Sequence, residues 1–236
     1  MSNESFENRV AETIRALSPE FQERASHDIE SLRRASLLSQ RDIEVLVQDS
    51  TGDPMLRRIA AWVIGLIHDL SLADSLEKVV EEGQPISFLW EAAKTLSALG
   101  KGVTIFKRFL VESRDPEIRK LAAFALGQLR DPSGGELLMR VLRADDEEPS
   151  VRGQAAEALG YLGDRSALDV LLSAAKDPVP EVRFWSAFAM GQLGDERALP
   201  TLDKMALTDH VRVDGWWEIS REAAEAIAEV RKAKDR

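Results

Sequence analysis

A motif of small apolar residues behind an arginine recurs along this chain at a nearly constant interval. The three clearest copies begin at Pro116, Pro149 and Pro180, and each continues through an arginine and an alanine-rich stretch to Gly-x-Leu. Earlier copies begin at Pro54 and, more weakly, near Trp90, and a last one follows Arg221. The first alanine of each copy, or the serine in its place, lies at 60, 92, 122, 155, 186 and 223, so the steps are 32, 30, 33, 31 and 37 residues.

This period predicts one helical hairpin per repeat. Asp115-Pro116 is typical of a helix start, because aspartate caps the first turn and proline is tolerated within it. Gly163-Asp164 and Gly194-Asp195 predict the end of one helix and the cap of the next. The following segments space their apolar residues by three and four, as amphipathic helices do. Since a lone hairpin leaves one face unburied, neighbouring hairpins must stack to complete a core.

These residues resemble the HEAT family, and more narrowly the HEAT-like repeats of the phycobilisome (bilin) lyase type. The resemblance implies an all-α fold, an α-α superhelix (a right-handed HEAT/armadillo-like solenoid) of about six to seven helical-hairpin repeats. We expect one domain over residues 1–236, with a divergent helical cap at 1–52, repeats at 53–207 and a capping repeat at 208–236. The resemblance also implies structural roles for four arginines. In HEAT-like proteins such arginines pair with the opening aspartate of a neighbouring repeat, and here they are Arg57, Arg119, Arg152 and Arg183.

A helical wheel divides the arginine-bearing helix into a buried stripe and a free arc. Ile118, Ala122, Ala125, Leu126 and Leu129 fall within an arc of about 100°, which predicts the buried side. The opposite arc holds four residues that we expect to face away from the core: Lys120, Leu121, Phe124 and Gln128. In HEAT-like solenoids this face lines the concave surface.

Equivalent positions of the other copies carry large aromatic and charged side chains. Exposed aromatics reduce solubility unless a partner covers them, and tryptophan, tyrosine and arginine dominate interface energetics. We therefore predict a partner-binding groove formed by Arg58, Trp62, Trp90, Lys94, Lys120, Phe124, Tyr161, Trp185 and Phe188. The alternative interpretation is that the aromatics, Phe184 and Trp185 above all, pack against one another between repeats.

Composition narrows the class of partner. The net charge is 31 − 41 = −10, which argues against an extended phosphate-binding surface and hence against nucleic acid. No apolar run is long enough to span a bilayer, so we expect a cytoplasmic protein with no membrane partner. The absence of cysteine excludes disulfides, thiolate zinc sites and thiol nucleophiles. The sequence does not define an oligomeric state.

No catalytic or metal-binding constellation stands out, so we expect neither cofactor nor metal. His27, His68 and His210 belong to separate repeats, and the His-Glu dipeptides of HEAT-like hydroxylases do not occur. The acidic run at 145–148 lacks the spacing of a calcium loop. We predict a non-enzymatic scaffold that binds a helix or extended peptide of another protein. The alternative implied by the resemblance is a bilin lyase-like protein, in which Arg58 or Lys120 would pair with the propionates of an open-chain tetrapyrrole.

Overall fold

The computed structural model describes residues 39–49 and 54–234 of the chain, and these residues fold into paired α-helices. The helices, numbered from the first described one, are α1 Gln40–Gln48, α2 Pro54–Leu66, α3 Leu70–Glu81, α4 Ile86–Ala98, α5 Val103–Glu112, α6 Pro116–Leu129, α7 Gly135–Arg143, α8 Pro149–Leu162, α9 Leu168–Ala174, α10 Pro180–Leu193, α11 Leu199–Thr208 and α12 Ile219–Lys234. The part of the predicted N-terminal cap before residue 39 lies outside the described residues.

The helices form two compact units, one ending at Ile105 and the other beginning at Phe106. In the first unit α2 packs beside α4, and α1 and α3 pack against α2. In the second unit α6, α8, α10 and α12 pack side by side. There each second helix packs on the first helix of the following repeat: α7 on α8, α9 on α10 and α11 on α12. This is the stacked-hairpin architecture of HEAT and armadillo-like solenoids that the period predicts. The predicted single-domain organisation stays a prediction.

The predicted start and stop signals lie where the helices begin and end. Asp115 accepts a hydrogen bond from the backbone N–H of Glu117 at 2.9 Å, and Pro116 is the first residue of α6. Gly163 and Gly194 end α8 and α10 with left-handed φ values of 70° and 61°. Asp164 then caps a short 3₁₀ turn by accepting from the N–H of Ser166 at 2.9 Å. These predictions are confirmed.

Glycines bring the first helices of the second unit into close contact. A Cβ at Gly127 would lie 2.8 Å from the Cα of Ala158, and one at Gly160 would lie 2.9 Å from the Cα of Ala189. Gly191 faces Ala226 in the same way, at 2.8 Å. Each repeat therefore contributes one glycine that touches the backbone of the next first helix, and any larger side chain would push the two helices apart.

The repeated arginines are structural, and the carboxylate partners of Arg119, Arg152 and Arg183 lie just after the second helix of the same repeat. Arg119 pairs with Glu147 at 2.7 Å, Arg183 with Asp209 at 2.7 Å, and Arg152 with Asp177. The structure adds a detail to the expected pairing. Glu147 comes one residue before the helix cap and Asp177 comes two before it, so the carboxylate is not the capping residue itself.

Candidate functional site

The nine residues predicted to bind a partner lie on first helices, and none of them is fully buried. Arg58 and Lys94 are exposed. The remaining seven are half-buried: Trp62, Trp90, Lys120, Phe124, Tyr161, Trp185 and Phe188. Four of the nine belong to the first unit and five to the second. Their role in binding a partner stays a prediction.

In the second unit the rings join into one aromatic cluster, made of Tyr161, Phe184, Trp185, Phe188, Trp216 and Trp217. Phe188 lies edge-to-face against Tyr161 on one side and Trp185 on the other, with ring centroids 5.6 Å apart in both pairs. Trp185 continues the contact to Trp216 at 5.0 Å. Offset and edge-to-face pairs at these separations are favourable beyond the area that they bury. The cluster is thus a single packed surface that extends from α8 across α10.

The segment between α11 and α12 brings two tryptophans to this cluster. An isolated bridge between Arg212 and Glu218 folds the segment back on itself. It leaves Trp216 41% exposed, beside the half-buried Trp217. The Nε1–H of Trp217 donates to Glu222 at 2.9 Å and fixes the ring against α12. Sequence reasoning gave neither tryptophan a role, although the final step of 37 residues, the longest of the series, marks an insertion here.

Three residues that the helical wheel assigned to the free arc are buried: Leu121 and the equivalent positions Gly153 and Phe184. Phe184 is 1% exposed because Trp185, Trp216 and Trp217 cover it, with centroids 5.2, 5.7 and 6.0 Å from its own. Leu121 is 0% exposed. The wheel allowed for one packing partner, whereas each first helix is flanked by further first helices, which narrows the free arc. For Phe184 the alternative interpretation of packing between elements is therefore correct.

Gly153 allows Trp185 to lie close to α8. A Cβ at this position would lie 3.2 Å from Cδ1 of the tryptophan and 3.4 Å from Cγ of Glu181. Contacts this short between a methyl group and a ring are repulsive. Because Gly153 has no side chain, the Trp185 indole can pack directly against α8.

Carboxylates surround the aromatic cluster. We call Glu157, Glu222, Glu225 and Glu229 the acidic rim. Glu157 is half-buried, and burial raises the pKa of its carboxyl above the ordinary 4.5, although hydrogen bonds from Gln154 and Tyr161 partly oppose the shift. Burial likewise raises the pKa of Glu222, against the hydrogen bond from Trp217. Two of the four rim carboxylates are thus poorly solvated.

The predicted site residues of the first unit include cations, Arg58 and Lys94, whereas carboxylates surround the aromatic cluster of the second unit. Arg58 is exposed on α2, where it follows the buried Arg57. Lys94 on α4 lies 3.7 Å from Glu91, so the glutamate on this face has a cationic partner. Trp62 is half-buried on the same helix as Arg58, and Trp90 is half-buried on the same helix as Lys94.

Other kinds of site find little support in the described part of the chain. No three potential metal ligands come together there. His68 lies in the turn after α2, and His210 lies 3.3 Å from the hydroxyl of Ser220, whereas His27 lies outside the described residues. Within the same residues no helix has both the length and the apolar character needed to cross a membrane.

Family comparisons agree with the repeat motif. Residues 142–228 match the family model of HEAT repeats, and residues 118–144 match the model of the PBS lyase HEAT-like repeat. The expected resemblance is therefore confirmed for this part of the chain. No curated protein sequence matches the chain.

Solved structures agree on the fold. The chain is similar to a structure of the complex of CpcE and CpcF of phycocyanin lyase from Nostoc sp. PCC7120, with 23% identity, a TM-score of 0.57, and coverage of 80% of this chain and 76% of that chain. It is also similar to an engineered protein, with 20% identity, a TM-score of 0.50, and coverage of 97% and 70%. At such identities the similarity shows the helical-repeat fold alone.

Proposed function

We propose that this chain, whose residues 118–228 carry HEAT and PBS lyase HEAT-like repeats, is a non-enzymatic scaffold that binds a segment of a partner protein. One observation carries the proposal: the aromatic cluster has a buried side that packs on the helices and an opposite side that is exposed to solvent. Phe184 is buried at its base, whereas Trp216 is 41% exposed at its edge. Rigid, partly exposed tryptophan and tyrosine side chains are the ones that contribute most at protein interfaces.

The geometry favours a segment over a small compound. Successive first helices of a stack lie about 8–10 Å apart, so a surface that runs over α8, α10 and α12 extends about 16–20 Å. About six residues of extended chain span that length. We propose that such a peptide or helix lies across the rings of Tyr161, Trp185 and Phe188, with Phe124 and Lys120 on the neighbouring helix extending the surface.

Variants in both units test this function. We expect Phe188→Ala and Trp216→Ala together to abolish partner capture from cell lysate. Because Phe188 is only half-buried, its replacement is expected to lower the free energy of unfolding by about 1–2 kcal/mol. Trp62→Ala tests in the same way whether the first unit takes part. Captured proteins are identified by mass spectrometry, and circular dichroism melting measures stability.

Leu207→Ala is the matched control, because Leu207 is an apolar side chain 76% exposed on α11 and lies outside the aromatic cluster. Capture that survives in the Phe188→Ala/Trp216→Ala variant as fully as in this control would contradict the proposal. Melting of the double variant far below the control would instead show that the rings serve the core.

A second candidate, a bilin lyase-like protein that handles an open-chain tetrapyrrole, is favoured by the PBS lyase HEAT-like match at 118–144. The similar fold of a phycocyanin lyase complex points the same way. The acidic rim argues against it, because four carboxylates repel the propionates of such a pigment. Mixing the protein with a bilin is decisive: unchanged visible absorbance and unchanged tryptophan fluorescence would eliminate this candidate.

A further inference from the structure

The acidic rim and the aromatic cluster lie together on three adjacent helices. Tyr161 on α8 touches Phe188 on α10, and Phe188 in turn lines a cleft against α12. The residues at matching positions, helix by helix, are Gln154, Glu157 and Tyr161; Trp185, Phe188 and Gln192; and Glu222, Glu225 and Glu229. Rings therefore occupy the middle of this face, and carboxylates lie on both sides of them.

The cleft between α10 and α12 has the dimensions and lining of a side-chain pocket. Its volume is about 280 Å³. Gly191 and Ala226 form its floor, where the two helices make close contact, and the Phe188 ring forms one wall. Three glutamates, Glu222, Glu225 and Glu229, complete the lining. None of the described lining residues is a lysine or arginine, so the cleft is apolar on one side and anionic on the other.

The existing ion-pair partners of Glu225 and Glu229 are easily exchanged, whereas Glu222 is buried and keeps its hydrogen bond from Trp217. Glu225 is paired with Arg221 at 2.9 Å and Glu229 with Lys232 at 3.4 Å, and all four side chains are at least half exposed. Exposed pairs of this kind contribute little to stability, so a ligand cation can replace them at small cost.

Glu157 carries the strongest argument, because its carboxylate is half-buried and its partners are neutral. The side-chain amide of Gln154 and the hydroxyl of Tyr161, 3.3 Å away, donate hydrogen bonds to it. Of the ion pairs formed by the described residues, none includes Glu157. A poorly solvated carboxylate without an ion-pair partner is unfavourable in the unbound protein, and a ligand cation placed beside it would offset that cost.

We propose that this face docks a lysine- or arginine-bearing segment of another protein, an inference that rests on the function proposed above. One basic side chain enters the cleft, with its methylene stem along Phe188 and its charged head among the carboxylates. A second lies near Glu157, over the rings of the cluster, where aromatic faces attract guanidinium and ammonium groups.

The positions of these two subsites give the partner a spacing. One lies on α8 and the other between α10 and α12, so they are separated by about one and a half helix spacings, or about 12–15 Å. An extended segment covers that distance in about four residues. The net charge of −10 would steer such a segment toward the protein.

Selection from a phage-displayed library of random peptides of about twelve residues tests the inference, since that length covers the face with residues to spare. The full chain is immobilised in four forms. They are the unchanged protein; a rim variant with Glu157→Gln, Glu225→Gln and Glu229→Gln; an aromatic variant with Phe188→Ala and Trp216→Ala; and a charge control with Glu112→Gln, Glu117→Gln and Glu136→Gln. The control removes the same charge from exposed glutamates elsewhere.

We expect peptides selected on the unchanged protein to be enriched in lysine or arginine about four positions apart, next to an apolar residue. Their binding, measured by calorimetry, should weaken about tenfold or more in the rim variant and less than about threefold in the charge control. Glu157→Gln alone should account for a large part of that loss, and melting curves verify that each variant is folded.

Three results would overturn the inference. If peptide binding weakens equally in the rim variant and the charge control, the overall negative charge of the protein, and not the acidic rim, accounts for the effect. Selection of neutral or acidic peptides that the aromatic variant fails to bind would refute the cationic partner and leave the docking function intact. No enrichment over the aromatic variant would refute both proposals.

Discussion

First helices pack side by side in both units, but different atoms set their separation. In the second unit Gly160 approaches the backbone of Ala189, as its counterparts Gly127 and Gly191 approach the next helices. In the first unit Gly65 of α2 faces a side chain instead, and its Cβ would lie 3.3 Å from Cγ2 of Thr95. Thr95 is itself held by a 3.0 Å hydrogen bond to the carbonyl of Ala61. The later repeats are thus joined by contact between backbones, and the earlier pair by the buried Thr95 side chain and its hydrogen bond.

The repeated arginine shows the same contrast. Arg57 in the first unit donates to the carbonyl of Val47 at 3.0 Å and to the side chain of Gln84 at 2.9 Å, and it lies over the Phe88 ring. In the second unit the corresponding arginines each have a carboxylate partner. The same residue type therefore joins repeats through neutral acceptors in one unit and through buried or half-buried ion pairs in the other. The match of family models to residues 118–228 follows this division.

We expect the largest difference in stability between the units when one repeated arginine of each, Arg152 or Arg57, loses its side-chain acceptor. Asp177→Ala leaves the buried Arg152 without its carboxylate, and breaking such a pair costs about 3–5 kcal/mol in the free energy of unfolding. Gln84→Ala removes a neutral acceptor while Val47 and Phe88 remain, so we expect a loss of about 2 kcal/mol. Urea denaturation measures both. Adding Arg152→Leu to Asp177→Ala should recover part of the loss, and no recovery would show that the pair itself is not the cause.

The glycine contacts predict a smaller difference. Gly160→Ala places a methyl group 2.9 Å from the Cα of Ala189, and overpacking against backbone costs about 1–3 kcal/mol. For Gly65→Ala the obstacle is the Thr95 side chain at 3.3 Å, and the gain in helix propensity, up to about 1 kcal/mol, offsets it. Thermal melting of the two variants gives the comparison directly. Equal losses would mean that the close glycine contacts do not distinguish the units.

The sequence predicts features that repeat and are local. The arginine pairs, the Asp115-Pro116 helix start and the Gly163-Asp164 stop recur with the period, so each copy supports the others. Leu121 was misplaced because a helical wheel treats one helix at a time, whereas its burial depends on flanking helices from other repeats.

The aromatic cluster was predicted in part. Tyr161, Trp185 and Phe188 lie at periodic positions and were identified from the wheel. Trp216 and Trp217 belong to an aperiodic segment, and only its folding back through the Arg212–Glu218 bridge places them against Phe184. No local pattern encodes that return, because it depends on contacts between distant parts of the chain.

The smallest expected effect concerns one glutamate on a first helix of each unit, Glu157 in the second and Glu91 in the first. Burial raises the pKa of Glu157, so the folded protein binds the proton more tightly than the unfolded chain does. The ionised carboxylate therefore lowers stability as the pH rises from the ordinary value of 4.5 through the raised pKa. Glu157→Gln removes this cost, and we expect a higher melting temperature than that of the unchanged protein at pH 7, with the difference shrinking toward pH 4.

Glu91→Gln is the matched change in the first unit, where the carboxylate already has Lys94 at 3.7 Å. An ion pair with an exposed lysine contributes at most about 1 kcal/mol, so we expect an unchanged or slightly lower melting temperature at pH 7. Melting curves at pH 7 and pH 4 show whether each of the two substitutions raises or lowers the melting temperature. A lower melting temperature at pH 7 for Glu157→Gln would mean that its hydrogen bonds from Gln154 and Tyr161 outweigh desolvation, and a ligand cation would then gain no advantage from that carboxylate.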